Sequence, residues 1–110
     1  GLESISKKGE MTELHRLCTG KGNEAKIKAL LQKGNSVNIL NKFGQTPMHT
    51  AALNNRFEYI PLLLHLGADP KIKDDDQASV ILYISGLRDP SILKLLLQKG
   101  ADINEVSELK

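Results

Sequence analysis

The sequence predicts an all-α solenoid: three stacked helix-turn-helix units, each with a polar, β-hairpin-like finger projecting to one side. Three observations predict it. Leu30-Leu31-Gln32-Lys33-Gly34 returns as Leu63-Leu64-His65-Leu66-Gly67 and again as Leu96-Leu97-Gln98-Lys99-Gly100, so the three glycines stand 33 residues apart each time. A fixed period of that length marks stacked supersecondary units, each unable to bury its apolar face alone. Ahead of each glycine an apolar triplet recurs at i, i+3, i+4: Ile27, Leu30, Leu31; Ile60, Leu63, Leu64; Leu93, Leu96, Leu97. That spacing puts each triplet on one helical face. After each glycine comes a polar stretch, such as Ala68-Asp69-Pro70-Lys71-Ile72-Lys73-Asp74-Asp75-Asp76-Gln77, long enough for a finger and too polar for a core.

The chain divides accordingly. Residues 1–6 read as a leader, or as the remnant of a cut from something longer, since the first residue is Gly1 rather than methionine. Unit one covers 7–40, unit two 41–73, unit three 74–106, and 107–110 form a tail. Unit one carries one extra residue between His15 and Gly34, most simply within Thr19-Gly20-Lys21-Gly22-Asn23, where an insertion costs little. In unit two the first helix starts at Thr46-Pro47: threonine is a good N-cap, and proline suits the first helical position because its missing N–H is no loss there. Met48, Ala51 and Ala52 face inward. The second helix runs from about Phe57 to Leu66 and stops at Gly67, a natural left-handed residue after a helix. Pro61 lies near its N-terminal end, where its cost is below the ~3 kcal/mol of a mid-helix proline. In unit three, Ser79-Val80-Ile81-Leu82-Tyr83-Ile84-Ser85 locally prefers a strand, but stacking on unit two overrides that preference and makes it a helix. Asp89-Pro90 repeats the cap-plus-proline start, and Gly100 repeats the stop.

Gly44-Gln45-Thr46-Pro47-Met48-His49-Thr50-Ala51-Ala52 closely resembles the G-x-T-P-L-H-x-A-A signature of the ankyrin repeat. Ile60-Pro61-Leu62-Leu63-Leu64-His65-Leu66-Gly67-Ala68-Asp69 resembles its second helix and G-A-D turn, as Gly100-Ala101-Asp102-Ile103-Asn104 resembles G-A-D-V-N. The resemblance covers nearly the whole chain. It implies an L-shaped stack that binds a partner protein or peptide on a concave face made by finger tips and the exposed side of each first helix. Carried over position by position, it selects Lys42, Phe43, Gln45, Leu53 and Asn54 in unit two. Across the next finger and unit three it selects Lys73, Asp75, Asp76, Ala78, Gly86 and Leu87. Phe43 stands out: on a finger between Lys42 and Gly44 it is either an exposed contact for a partner or packed on the neighbouring finger. Units one and three depart from the pattern. Thr12-Glu13-Leu14-His15 lacks the proline, Leu17 and Cys18 replace the alanine pair, and Leu82 stands where unit three would carry histidine.

Composition narrows the chemistry. The chain is 40% hydrophobic and 4% aromatic with no tryptophan, so its core is aliphatic. A net charge of +2 gives too weak a field to argue for nucleic acid or membrane partners. No apolar run reaches the length of a membrane span, and no signal peptide is visible. One cysteine excludes an internal disulfide framework and suits a reducing compartment, so the expected location is intracellular, cytoplasmic or nuclear. His15 and His49 hold equivalent helix positions, and the reading is structural: each imidazole bonds to the threonine and to a turn backbone of its own or the next unit. Cys18 sits at an alanine-like, buried position. His15 and Cys18, at i and i+3, have no third ligand for a metal. Nothing assembles a nucleophile, an oriented base and a pocket. Asp74-Asp75-Asp76 lacks the spacing of a calcium loop and is either solvated or aimed at a basic partner. No catalytic residue, metal or cofactor is expected, and the chain is expected to be monomeric. Two other readings remain: a targeting or substrate-recruiting arm of a larger enzyme or microbial effector, and a freestanding inhibitor of one enzyme.

Overall fold

The computed structural model describes residues 12–84 and 90–102. Six helices follow in order: α1 (Glu13–Leu17), α2 (Glu24–Gln32), α3 (Pro47–Leu53), α4 (Tyr59–His65), α5 (Val80–Ile84) and α6 (Pro90–Gln98). They pair as α1–α2, α3–α4 and α5–α6, and the pairs stack: α3 packs between α1 and α5, and α4 packs on α6. None of the described residues forms a strand. The fingers are hairpin-like only in that a short backbone turn closes each one.

The repeat period survives as repeated conformation. Gly34, Gly67 and Gly100 have φ of 102°, 104° and 107°, the left-handed region in which a helix is readily ended by glycine. In units two and three the turn is closed identically, by Ala68 N–H to the carbonyl of Leu63 (2.9 Å) and Ala101 N–H to that of Leu96 (3.0 Å). In unit one Asn35 takes the place of alanine, and its Nδ2 donates to the carbonyl of Leu30 (2.8 Å). The run from Val80 to Ile84 is helical despite its β-branched residues. Val80, Ile81 and Ile84 are buried, so packing decides against propensity. Pro61 is the third residue of α4, within the first turn, where no N–H has an intrahelical partner. The second helix of unit two starts later than Phe57, at Tyr59. The Asp89 cap of α6 lies outside the described residues.

The core is aliphatic, as the composition requires: Leu14, Ile27, Met48, Ile60, Leu63, Ile84 and Leu96 are all buried. Each contributes about 1.5–3 kcal/mol of burial. Cys18 is buried among them. Tyr59 is the aromatic exception, and it explains the insertion in unit one. Counted back from Ile27 and Ile60, Gly22 (φ 75°) and Asn55 (φ 60°) are equivalent left-handed residues, so the extra residue lies before Gly22. The widened loop is held from unit two. The Tyr59 hydroxyl donates to the carbonyl of Gly20 and accepts from Asn23 N–H (3.0 Å), while Arg56 Nε donates to the carbonyl of Thr19 (3.2 Å). Tyr59→Phe keeps the ring and removes the bridge. It is expected to cost about 1–3 kcal/mol in urea denaturation; a change below ~0.5 kcal/mol would show the loop to be held by other contacts.

Candidate protein-binding surface

Two fingers are described, residues 41–45 and 74–78, and both are built by the residue at their base. The side chain of Asn41 is buried, and its Oδ1 accepts from Phe43 N–H (2.9 Å) and Gln45 N–H (3.0 Å). Asp74, 33 residues on, is also buried, and its Oδ1 accepts from Asp76 N–H (2.9 Å) and Ala78 N–H (3.0 Å). A short side chain that accepts from backbone N–H groups ahead of it is what makes Asn and Asp turn formers. Asn41 N–H to Gln45 carbonyl (3.0 Å) and Asp74 N–H to Ala78 carbonyl (2.9 Å) close the two turns.

The fingers are joined side by side. Asp75 N–H donates to the carbonyl of Phe43 (3.0 Å). Gly44 is left-handed at φ 73°, and a Cβ there would meet the Asp75 carboxylate at 2.5 Å and its backbone nitrogen at 3.1 Å. Glycine is required at this place both for its backbone and for the close approach.

Histidines couple the fingers to the helices. In unit two, Thr46 caps α3 by accepting from His49 N–H, and His49 Nδ1 accepts from Thr46 N–H (3.1 Å). With Nδ1 accepting, the ring proton is on Nε2, which donates to the carbonyl of Ala78 (2.9 Å) in the next finger. In unit one, His15 Nε2 donates to the carbonyl of Gln45 (2.7 Å), and the Thr12 hydroxyl donates to Nδ1 (2.6 Å). Burial holds both histidines below the ordinary imidazole pKa of 6.5, against the opposing pull of the carbonyl each one bonds. Both nitrogens of each ring are occupied, so neither imidazole is available to a metal or as a general base. Burial pushes the Cys18 thiol up to about 12, which removes thiolate character at neutral pH. Tyr83 donates its hydroxyl to Asp74 Oδ2 and sets its ring edge-on to His49, with centroids 5.8 Å apart. Burial and that hydrogen bond raise the Tyr83 phenol above its ordinary range.

On this framework Lys42, Phe43, Leu53, Asn54, Lys73, Asp75 and Asp76 are exposed, and Gln45 is half-buried. Phe43 is 51% exposed and Leu53 47%. Lys42 Nζ lies 5.2 Å from the centre of the Phe43 ring, within cation–π range. Position for position, Lys42-Phe43 on the first finger becomes Asp75-Asp76 on the second, so the strip changes from cation and aromatic to a pair of carboxylates. Two expectations are corrected. Ala78 is buried, and its place is under the finger, where its carbonyl takes His49. Asp74 does not belong to a solvated acidic run, because its carboxylate is consumed inside the turn. Gly86 and Leu87 lie outside the described residues. Leu40, 41% exposed, was not among the expected positions. It is the unit-one equivalent of Lys73, and that register was the signal for it.

The family model for ankyrin repeats, in three copies, matches residues 14–107. The chain belongs to the ankyrin repeat family. Among curated ankyrin-type relatives, it is 37% identical over 106 residues to the monkeypox virus protein "Inhibitor of Apoptosis OPG037", covering 94% of this chain and 24% of that one. It is 33% identical over 82 residues to the cattle (Bos taurus) "Inactive serine/threonine-protein kinase TEX14", covering 74% and 6%. It is 38% identical over 78 residues to the Arabidopsis thaliana "Putative E3 ubiquitin-protein ligase XBAT34", covering 69% and 20%. The chain thus spans a quarter or less of each of these relatives. Ankyrin repeats are protein-interaction modules and in general are not catalytic. No helix among the described residues is long and apolar enough to cross a membrane.

Proposed function

We propose that this ankyrin array binds a partner protein or peptide along the concave strip formed by its fingers and the ends of its first helices. The observation that carries the reading is the exposure of Phe43. A large aromatic stands half in solvent on a finger whose own polar groups are engaged with one another, and its ring, beside Lys42 Nζ, is open to another surface. Exposed aromatics of this kind concentrate binding energy. Leu53 and Leu40 extend the apolar part, Lys42 and Lys73 add cations, and Asp75 and Asp76 add carboxylates. The work is done without catalysis, metal or cofactor, by a monomer inside the cell, and on protein rather than nucleic acid.

Phe43→Ala is expected to leave the melting temperature within a few degrees and to weaken the captured partner by at least tenfold, about 1.4 kcal/mol. The measurement is pull-down from lysate with mass spectrometry, followed by titration of the recovered partner. Unchanged binding would remove Phe43 from the site. The short span of this chain within its relatives favours a second reading, a recruiting arm of a larger protein. The name of the monkeypox relative also keeps the inhibitor reading in view. One tight enzyme partner in the pull-down separates an inhibitor from a scaffold with several weak partners.

A further inference from the structure

The finger tips carry an order of charge along the stack. The first described finger ends in Lys42-Phe43 and the second in Asp75-Asp76, and all four side chains are exposed. The repeat register continues the order both ways. One unit before Lys42 the sequence has Lys8, and one unit after Asp75 it has Glu108, both outside the described residues. At this register position the chain therefore reads lysine, lysine, aspartate, glutamate. The structure fixes where the sign changes. Asp75 N–H donates to the Phe43 carbonyl (3.0 Å), and the Asp75 carboxylate folds against Gly44, with Oδ1 2.5 Å from where a Cβ there would lie. Lys42 Nζ lies 5.2 Å from the centre of the Phe43 ring. The exposed aromatic thus has a cation at its ring and a carboxylate beside the next residue of its finger. Among the described residues Lys42, Asp75 and Asp76 form no ion pair, so neither sign is cancelled by such a contact.

Exposed ion pairs add little affinity singly, but their order decides which partner fits and which way round it lies. A uniformly acidic segment gains at the lysine and is repelled at the carboxylates, and a uniformly basic one does the reverse. A segment with acid on one side of an apolar residue and base on the other gains at both. Resting on the strip reading above, we propose that the partner segment is dipolar: an apolar side chain seated on Phe43, acidic residues on the side towards unit one, and basic residues on the side towards unit three.

The test selects peptides from a phage-displayed library of short random sequences on the full chain and on three variants. The parent is expected to enrich peptides whose acidic and basic residues fall on opposite sides of an apolar one. Lys42→Glu turns both described tips acidic and should shift the selection to net basic peptides. Asp75→Lys with Asp76→Lys turns both basic and should shift it to net acidic ones. A parent-selected peptide should bind either charge variant at least about fivefold more weakly at low salt. Uniformly acidic, uniformly basic or uncharged peptides on the parent, or one selection shared by the parent and both charge variants, would overturn the proposal. So would no enrichment on the parent, which leaves the strip itself to the pull-down. Phe43→Ala separates the two failures. Selection lost with alanine but indifferent to the charge variants overturns only the charge order, and selection unchanged with alanine overturns the strip as well. If circular dichroism finds the double aspartate variant unfolded, Asp76→Lys alone takes its place with the same outcomes.

Discussion

Replacing His49 with alanine is expected to lower the unfolding free energy by about 2–4 kcal/mol, and the melting temperature by roughly 10–20 °C. Three losses combine. Thr46 N–H, buried at the start of α3, loses the Nδ1 that accepts it. The Nε2 bond to Ala78, which ties unit two to the second finger, disappears. A void opens beside Tyr83, whose ring edge the imidazole meets. Alanine is the better helix former, by less than 1 kcal/mol, which does not offset these. His15→Ala should cost less, because Thr12 meets that imidazole through its hydroxyl alone among the described contacts, and a hydroxyl can turn to solvent. Thermal and urea denaturation of both variants measure the difference; equal losses would contradict it.

Acid is expected to undo the stack through the same two rings. Their folded-state pKa values are lowered by burial, while in the unfolded chain they return to about 6.5. Below 6.5 the unfolded chain therefore binds more protons than the folded one. The contribution is complete above that pH and is lost as pH falls through and below it. The slope is at most about 1.4 kcal/mol per pH unit for each histidine. Hydrogen bonding gives the same sign: a proton on His49 Nδ1 would face Thr46 N–H, donor against donor. Urea midpoints measured from pH 8 to 5 should be level down to about 7 and then fall, and His49→Gln should remove about half of that slope. A midpoint independent of pH across the range would show that the rings stay uncharged in both states or are solvated in both.

The scaffold was readable because it repeats. Glycines in register announced the turns, i, i+3, i+4 triplets announced the second helices, and Thr46-Pro47 announced the start of α3. The two histidines were placed correctly because each bond they make is either to a threonine three residues back or to the backbone of the adjoining finger. What escaped were contacts that use sequence neighbours differently. Asp74, Asp75 and Asp76 are alike on paper, yet the first folds inward because a turn needs an acceptor at its base. Ala78 stands in the position of Gln45, but it is a buried methyl group where the half-buried Gln45 amide accepts from Asn41 Nδ2 (3.1 Å). Tyr59 could not be anticipated from its own unit. Its hydroxyl serves a loop 36 to 39 residues away that is wide only because unit one has an extra residue. Phe43, Leu53 and Leu40 are outward by register, and nothing in a single chain says which of them a partner uses.

The direction of the imidazole bonds has one more consequence. His15 reaches forward from unit one to the finger of unit two, and His49 from unit two to the finger of unit three; neither reaches back. Each of these two imidazole latches is mounted on one unit and catches on its successor. Shortening the array from the front removes the His15 latch and leaves its catch, the Gln45 carbonyl, still paired with Asn41 N–H, while Tyr59 and Arg56 lose the loop they hold. Shortening it from the back strands a buried imidazole with nothing to close on. As far as the imidazoles go, trimming is thus one-sided: they favour boundaries or junctions ahead of a histidine-bearing helix over those behind one.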